Sequence, residues 1–179
     1  MNRHVAFLRG INLGKRRVKM DRLRRLFEEL GFGNVATFIA SGNVVFDFPV
    51  SDRRKLEQEI ETHLEEALGF TTETFVRPLE ELDQLTKLKR VRTRQDEGFT
   101  PHVIFLREEA DDRMEGGLRT LETEDDRFLV LSTEVVWFRR GGLTESFIKT
   151  RDLETVLGGR KNTTRNLKTL QRMVAKFGV

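Results

Sequence analysis

The sequence predicts an α+β fold built as a tandem repeat of one βαββαβ unit, and three observations predict it. His4-Val5-Ala6-Phe7-Leu8-Arg9 returns 98 residues later as His102-Val103-Ile104-Phe105-Leu106-Arg107, identical at five of six positions. Ser41-Gly42-Asn43-Val44-Val45-Phe46 has a weaker echo in Ser132-Thr133-Glu134-Val135-Val136-Trp137, in the same order along the chain. Between these echoes each half shows the same alternation of strand-like and helix-like runs. Collinear echoes point to an internal duplication rather than to chance strand composition.

In the first half, residues 4–9 form a continuous apolar run and read as a buried strand. Residues 19–30 read as a helix, because Met20, Leu23, Leu26, Phe27 and Leu30 recur at spacings of three and four. Gly31-Phe32 ends it, with glycine in the left-handed position and phenylalanine as the hydrophobic contact that follows. Residues 34–39 and 43–48 are two strands joined through Ser41-Gly42. Ser51 is placed to cap the next helix, whose stripe is Leu56, Ile60, Leu64 and Leu68, and Gly69-Phe70 closes it. Residues 72–77 complete the unit. Pro78 then opens a short linking helix with leucines at 79, 82, 85 and 88.

The second half begins at Pro101 and repeats a strand (102–107), a helix (about 111–122) and two strands (127–131 and 134–139). After Gly141-Gly142 a helix is expected over about 146–157, and after Gly158-Gly159 a last helix from about Thr164 to Lys176. This half is therefore expected to end in an extra C-terminal helix where the first half ends in a strand. Residues 89–100 lack periodicity and read as a linker or mobile loop. The expected organisation is a first unit over 1–88, a linker over 89–100 and a second unit over 101–179, together forming one compact domain.

Composition narrows the function classes. The 179 residues contain no cysteine, which excludes disulfides, thiolate zinc sites, iron–sulfur clusters and cysteine nucleophiles. Three histidines far apart in sequence do not form a metal motif, so no metal or other cofactor is expected. The chain carries 32 Lys and Arg against 29 Asp and Glu, and a net charge of +3 does not by itself mark a nucleic-acid binder. No apolar run approaches the roughly 20 residues of a membrane span. The N-terminus enters a strand without an apolar signal segment, so a cytoplasmic protein with no membrane partner is expected.

Three segments could carry chemistry. Arg9-Gly10-Ile11-Asn12-Leu13-Gly14-Lys15 lies between a strand and a helix, where glycine-rich loops bind phosphate. It is not a P-loop: its glycines enclose one residue too few, and Arg16 stands where a hydroxyl residue would hold magnesium. What remains is a loop with Arg9, Lys15, Arg16, Arg17 and Lys19, able to surround an anion with N–H groups and cations, or else an ordinary turn with solvated basic residues. The strand from Asn43 to Phe48 invites comparison with RNA-recognition sheets. Strand alternation argues against it, since Asn43 and Val45 stand where the stacking aromatics would be needed. The third segment, Lys161 to Asn166, reads as a helix start at which Thr163 or Thr164 caps and Arg165 faces an anion, or as an ordinary capped helix.

At Leu8-Arg9-Gly10-Ile11-Asn12-Leu13-Gly14, Leu30-Gly31-Phe32, Ser41 to Phe46 and Thr163-Thr164-Arg165-Asn166 the chain resembles the bacterial domain-of-unknown-function family numbered 1697. The resemblance spans nearly the whole chain and implies a tandem duplication of a ferredoxin-like βαββαβ unit, with no assigned activity. Two positions depart from the family pattern: Lys15 stands where members carry a second glycine, and Leu167 where they carry a tryptophan. Ser146 and Lys149 match a Ser-x-x-Lys-like element of members.

These readings lead to a candidate ligand site of Arg9, Asn12, Lys15, Ser41, Asn43, Lys149, Arg165 and Asn166, holding a small anionic or phosphorylated ligand in a polar basic cleft. Arg9, Lys15, Lys149 and Arg165 would supply charge, Asn12 and Asn43 orientation, and Ser41 a hydroxyl. No general base is nominated. Two other readings stand beside it: a sequence-tolerant nucleic-acid binder using Lys87, Lys89, Arg90, Arg92 and Arg94 as a basic arm, and a protein-interaction scaffold.

Overall fold

The computed structural model describes residues 2–14, 16–39, 42–141 and 148–178. The chain divides into two units, residues 1–82 with 173–179 and residues 83–172. Among the described residues there are eight strands in two antiparallel four-stranded sheets, with seven helices, so the fold is α+β.

The first unit runs β1 (Asn2–Leu8), α1 (Met20–Glu29), β2 (Gly33–Thr37), β3 (Asn43–Phe48), α2 (Arg53–Leu68) and β4 (Thr74–Pro78). Its sheet order is β2-β3-β1-β4, with β1 central and His4 opposite both Phe46 and Pro78. One face carries Ala6, Leu8, Val44, Phe46 and Val76, packed with Leu23, Leu26 and Phe27 of α1 and Leu56, Ile60 and Leu64 of α2. Each buried Val, Leu, Ile or Phe among them contributes roughly 1.5–3 kcal/mol by leaving water. Val5, Phe7, Val45 and Phe75 on the other face are buried as well. Burial on both faces explains why β1 and β3 read as continuous apolar runs rather than alternating ones.

The expected helix ends are present. Gly31 has φ +80° and its N–H donates to Glu28 O. Phe32 then stacks on Phe46 at 4.5 Å. The cap of α2 differs from expectation, because Asp52 rather than Ser51 accepts from Lys55 N, at 3.0 Å. α2 also covers the open edge of β4. Glu61 accepts from Thr74 N at 2.7 Å and Glu57 from Val76 N at 2.9 Å, so these edge N–H groups are satisfied.

After α3 (Leu79–Lys87) and α4 (Lys89–Asp96), the second unit continues with β5 (Thr100–Leu106), α5 (Asp112–Thr120), β6 (Asp126–Val130), β7 (Glu134–Arg139), α6 (Thr150–Val156) and β8 (Asn162–Asn166). Its sheet order is β6-β7-β5-β8, the same arrangement as in the first unit. Ile104, Leu106, Val135 and Trp137 pack with Met114 and Leu118 of α5 and with Leu157. Trp137 Nε1 donates to the buried Asp126 carboxylate at 2.8 Å. The two helices approach closely at Gly117, where an added Cβ would stand 2.9 Å from Val156.

Three expectations are corrected. Residues 89–100 are not a linker loop: α4 occupies most of the stretch, anchored by the buried Val91, and Gly98 (φ +86°) turns the chain into β5. Residues 162–166 form strand β8, paired with β5 from His102↔Asn166 to Leu106↔Asn162, so Thr163 and Thr164 do not cap a helix there. The second half thus completes βαββαβ before its last helix, α7 (Leu167–Phe177). The expected helix over 146–157 is observed as α6, shorter at its start, and residues 142–147 lie outside the described residues.

Candidate functional site

Of the eight nominated residues, Lys15 and Ser41 lie outside the described residues, as does Ser146. Arg9, Asn12 and Asn43 belong to the first unit, and Lys149, Arg165 and Asn166 to the second.

In the first unit the loop after β1 meets the turn before β3. Leu8 N donates to Gly42 O at 2.8 Å, and Gly42 sits so close to Ile11 that an added Cβ would stand 2.6 Å from Ile11 Cγ2. Gly42 also has φ +75°, so both space and backbone conformation require glycine. Ile39, just before this turn, holds φ +51°, a strained conformation for a β-branched residue.

The polar residues of these loops first fix the backbone. Asn12 Oδ1 accepts from Val18 N at 2.8 Å, and Asn12 O accepts from Arg17 at 3.2 Å. Asn43 is buried, and its Nδ2 donates to Phe38 O at 3.0 Å. Arg9 pairs with Glu73 at 3.0 Å while its backbone N–H donates to Glu73 O. Arg16 lies over the Phe70 ring at 4.6 Å. A cavity of about 500 Å³ opens beside this loop, lined by Asn12, Arg17, Val18, Lys19 and Met20. Among the described residues of its wall two are cations and none is a carboxylate.

In the second unit Lys149 is the N-cap residue of α6, with its backbone N–H donating to Asp152 Oδ2 at 3.3 Å and its side chain exposed. Arg165 projects from β8 and donates to Thr163 Oγ1 at 2.7 Å and Thr164 O at 2.9 Å. Desolvation by burial lowers its pKa to about 10, which still leaves it charged at neutral pH. Asn166 Oδ1 accepts from Lys168 N at 2.8 Å, so the polar cap of the last helix is Asn166, the final residue of β8, rather than Thr163 or Thr164.

A second cavity, of about 510 Å³, was not anticipated as such. It lies in the second unit between α4 and the β6–β7 edge, lined by Lys89, Arg90, Thr93, Arg94 and Glu97 with Glu122, Arg127, Phe128, Leu129 and Phe138. The basic run 87–94 was visible in the sequence. The missing signal was that 89, 90, 93, 94 and 97 share one helix face at spacings of three and four.

Among the described residues no group of His, Asp and Glu could hold a metal ion. No helix among them is long and apolar enough to cross a membrane.

The profile of a family described as "Protein of unknown function (DUF1697)" matches residues 1–137. Among solved structures, the conserved bacterial protein SP0830 from Streptococcus pneumoniae is similar at 26% identity and a TM-score of 0.76, over 100% of this chain and 99% of that one. No curated protein matches the chain.

Proposed function

The chain belongs to the DUF1697 family, and from that premise we propose that it binds a small anionic or phosphorylated ligand at the loop following β1. The carrying observation is the cavity lined by Asn12, Arg17 and Lys19, in which two cations face the same space without a carboxylate among the described lining residues. Because Asn12 and Gly42 fix the loop through backbone contacts, the site is preorganised and loses little entropy on binding. Strain at Ile39 beside it is the kind of cost that functional loops carry. The same reading treats the two βαββαβ units as products of duplication, which the matching strand orders and registers support.

Thermal denaturation with pyrophosphate or a sugar phosphate as probe tests the site. At about ten times Kd, mass action adds roughly 1.4 kcal/mol, a rise in Tm of about 3–6 °C for a chain of this size. Lys19→Ala with Arg17→Ala should abolish the rise. An equal rise in that double variant, or no rise for any phosphorylated probe in the unaltered protein, would overturn the proposal.

A further inference from the structure

We propose that the cavity between α4 and the β6–β7 edge of the second unit is a separate binding site for a small phosphate monoester bearing an apolar, planar group, of nucleoside-monophosphate size. The wall from α4 is cationic. Lys89 and Arg90 are exposed and, among the described residues, make no ion pair, while Arg127 reaches in from β6. The two carboxylates among the described lining residues already have partners. Glu97 pairs with Arg94 at 2.8 Å, and Glu122 accepts from Phe128 N at 2.8 Å, on the open edge of β6. Lys89, Arg90 and Arg127 therefore supply the charge that an incoming phosphate would meet.

The opposite side of the cavity is apolar. Arg127 and Phe138 pair directly across β6 and β7, and Leu129 is two residues along, so these three share one sheet face. Phe128 contributes from the strand edge. A cationic wall over a Phe and Leu floor matches a ligand with one charged end and one flat apolar end, rather than a bare inorganic anion. The wall is also held in place. Arg94 and Arg140 both lie over the Phe99 ring, at 5.7 and 4.3 Å, and Arg140 donates to Glu97 O at 3.2 Å, which ties the end of α4 to the residue that follows β7.

The same geometry disfavours a polynucleotide track. Of the five basic residues that would form an arm, Lys87 is paired with Asp83 at 2.6 Å and Arg94 with Glu97. Arg92 is absent from the lining, off the face shared by Lys89, Arg90 and Arg94. Lys89 and Arg90, the cations of α4 that line the cavity and make no ion pair among the described residues, serve one phosphate, whereas tracking a strand needs a row of cations on one face.

Trp137 is the single tryptophan of the chain; it lies on the opposite sheet face but stacks at 5.8 Å on Phe128, which lines the cavity, so its fluorescence reads the cavity through Phe128. With the full chain and AMP as probe, a saturable fluorescence change is expected. Inorganic phosphate should bind at least tenfold more weakly, and Lys89→Ala with Arg90→Ala should weaken AMP at least tenfold. Both substituted side chains are exposed, so the variant should keep its Tm. The Arg17→Ala, Lys19→Ala variant of the first unit should bind AMP unchanged here, which separates this site from the loop after β1. No saturable change would overturn the proposal, as would phosphate binding as tightly as AMP or an unaffected Lys89, Arg90 variant. Tighter binding of a single-stranded oligonucleotide, with steep salt dependence, would overturn it in favour of a nucleic-acid surface.

Discussion

Arg77 and Arg165 stand at the same register in their two sheets, opposite Val5 of β1 and Val103 of β5. Their surroundings differ. Arg77 is fully buried beside the equally buried Glu57, 3.8 Å away, which α2 brings to the edge of β4. Arg165 donates to a threonine hydroxyl and a backbone carbonyl, and burial pulls its pKa down to about 10. α2 has sixteen residues and α6 has seven, so the first unit has more helix with which to bring carboxylates to its outer strand. Within one topology, then, the two outer-strand arginines meet different described partners, and for Arg77 it is the long α2 that supplies a carboxylate.

The largest expected effect breaks the first of these arrangements. Glu57→Ala removes the acceptor for Val76 N and a buried carboxylate 3.8 Å from the buried Arg77 guanidinium. Losing one member of a buried pair costs about 3–5 kcal/mol. Glu57→Gln keeps an acceptor oxygen and should cost less. Urea denaturation measures both, and a loss below about 1 kcal/mol for Glu57→Ala would mean that the carboxylate does not support β4.

A second contrast lies in the turns that lead into β3 and β7. Leu8 N donates to Gly42 O and Leu106 N to Thr133 O, each at 2.8 Å, so the same bond closes the same turn in each unit. In the first unit Ile11 crowds the turn and φ is +75°, and only glycine fits. Thr133 holds its position without a positive φ and donates to Glu134 Oε1. Gly42→Ala should therefore cost roughly 2–4 kcal/mol from strain and overpacking together. Thr133→Gly should cost only about 1 kcal/mol, chiefly in chain entropy. Gly14→Ala, at φ +62° with nothing within 4 Å of an added Cβ, separates strain from crowding and should fall between them. Equal losses at 42 and 133 would erase the contrast.

The sequence was most readable where burial imposes a period. The leucine and phenylalanine stripes of α1 and α2, and the echoed β1 and β5, are continuous apolar signals and were assigned correctly. β8 escaped because it is an edge strand in which Thr163 alone is buried, so Thr-Thr-Arg-Asn reads as a helix cap. α4 escaped because a single buried valine anchors it. In the first unit the loop after β1 meets the turn before β3 through the bond from Leu8 N to Gly42 O, while Asn43 and Asn12 direct polar atoms to backbone partners far enough along the chain that spacing could not reveal them. Basic residues of α4 were noted as a run, and what their helix face opposes depended on β6 and β7, which no local pattern links to it.

The smallest expected effect concerns what the units share. His4 and His102 occupy equivalent strand positions, each with Nδ1 against a backbone carbonyl two residues earlier, Asn2 O at 2.8 Å and Thr100 O at 3.2 Å. Burial lowers the pKa of both, because the charged imidazolium loses more solvation than these contacts return. A histidine whose folded pKa lies below its unfolded value of about 6.5 binds fewer protons in the native state. Its contribution is complete above that value and declines as pH falls through it toward the folded pKa. Stability should therefore decrease from pH 7 to pH 5 in urea titrations. His4→Gln and His102→Gln should each flatten part of that slope, and the double variant should flatten it further. A slope unchanged by either substitution would show that the two positions match in register without sharing a protonation cost.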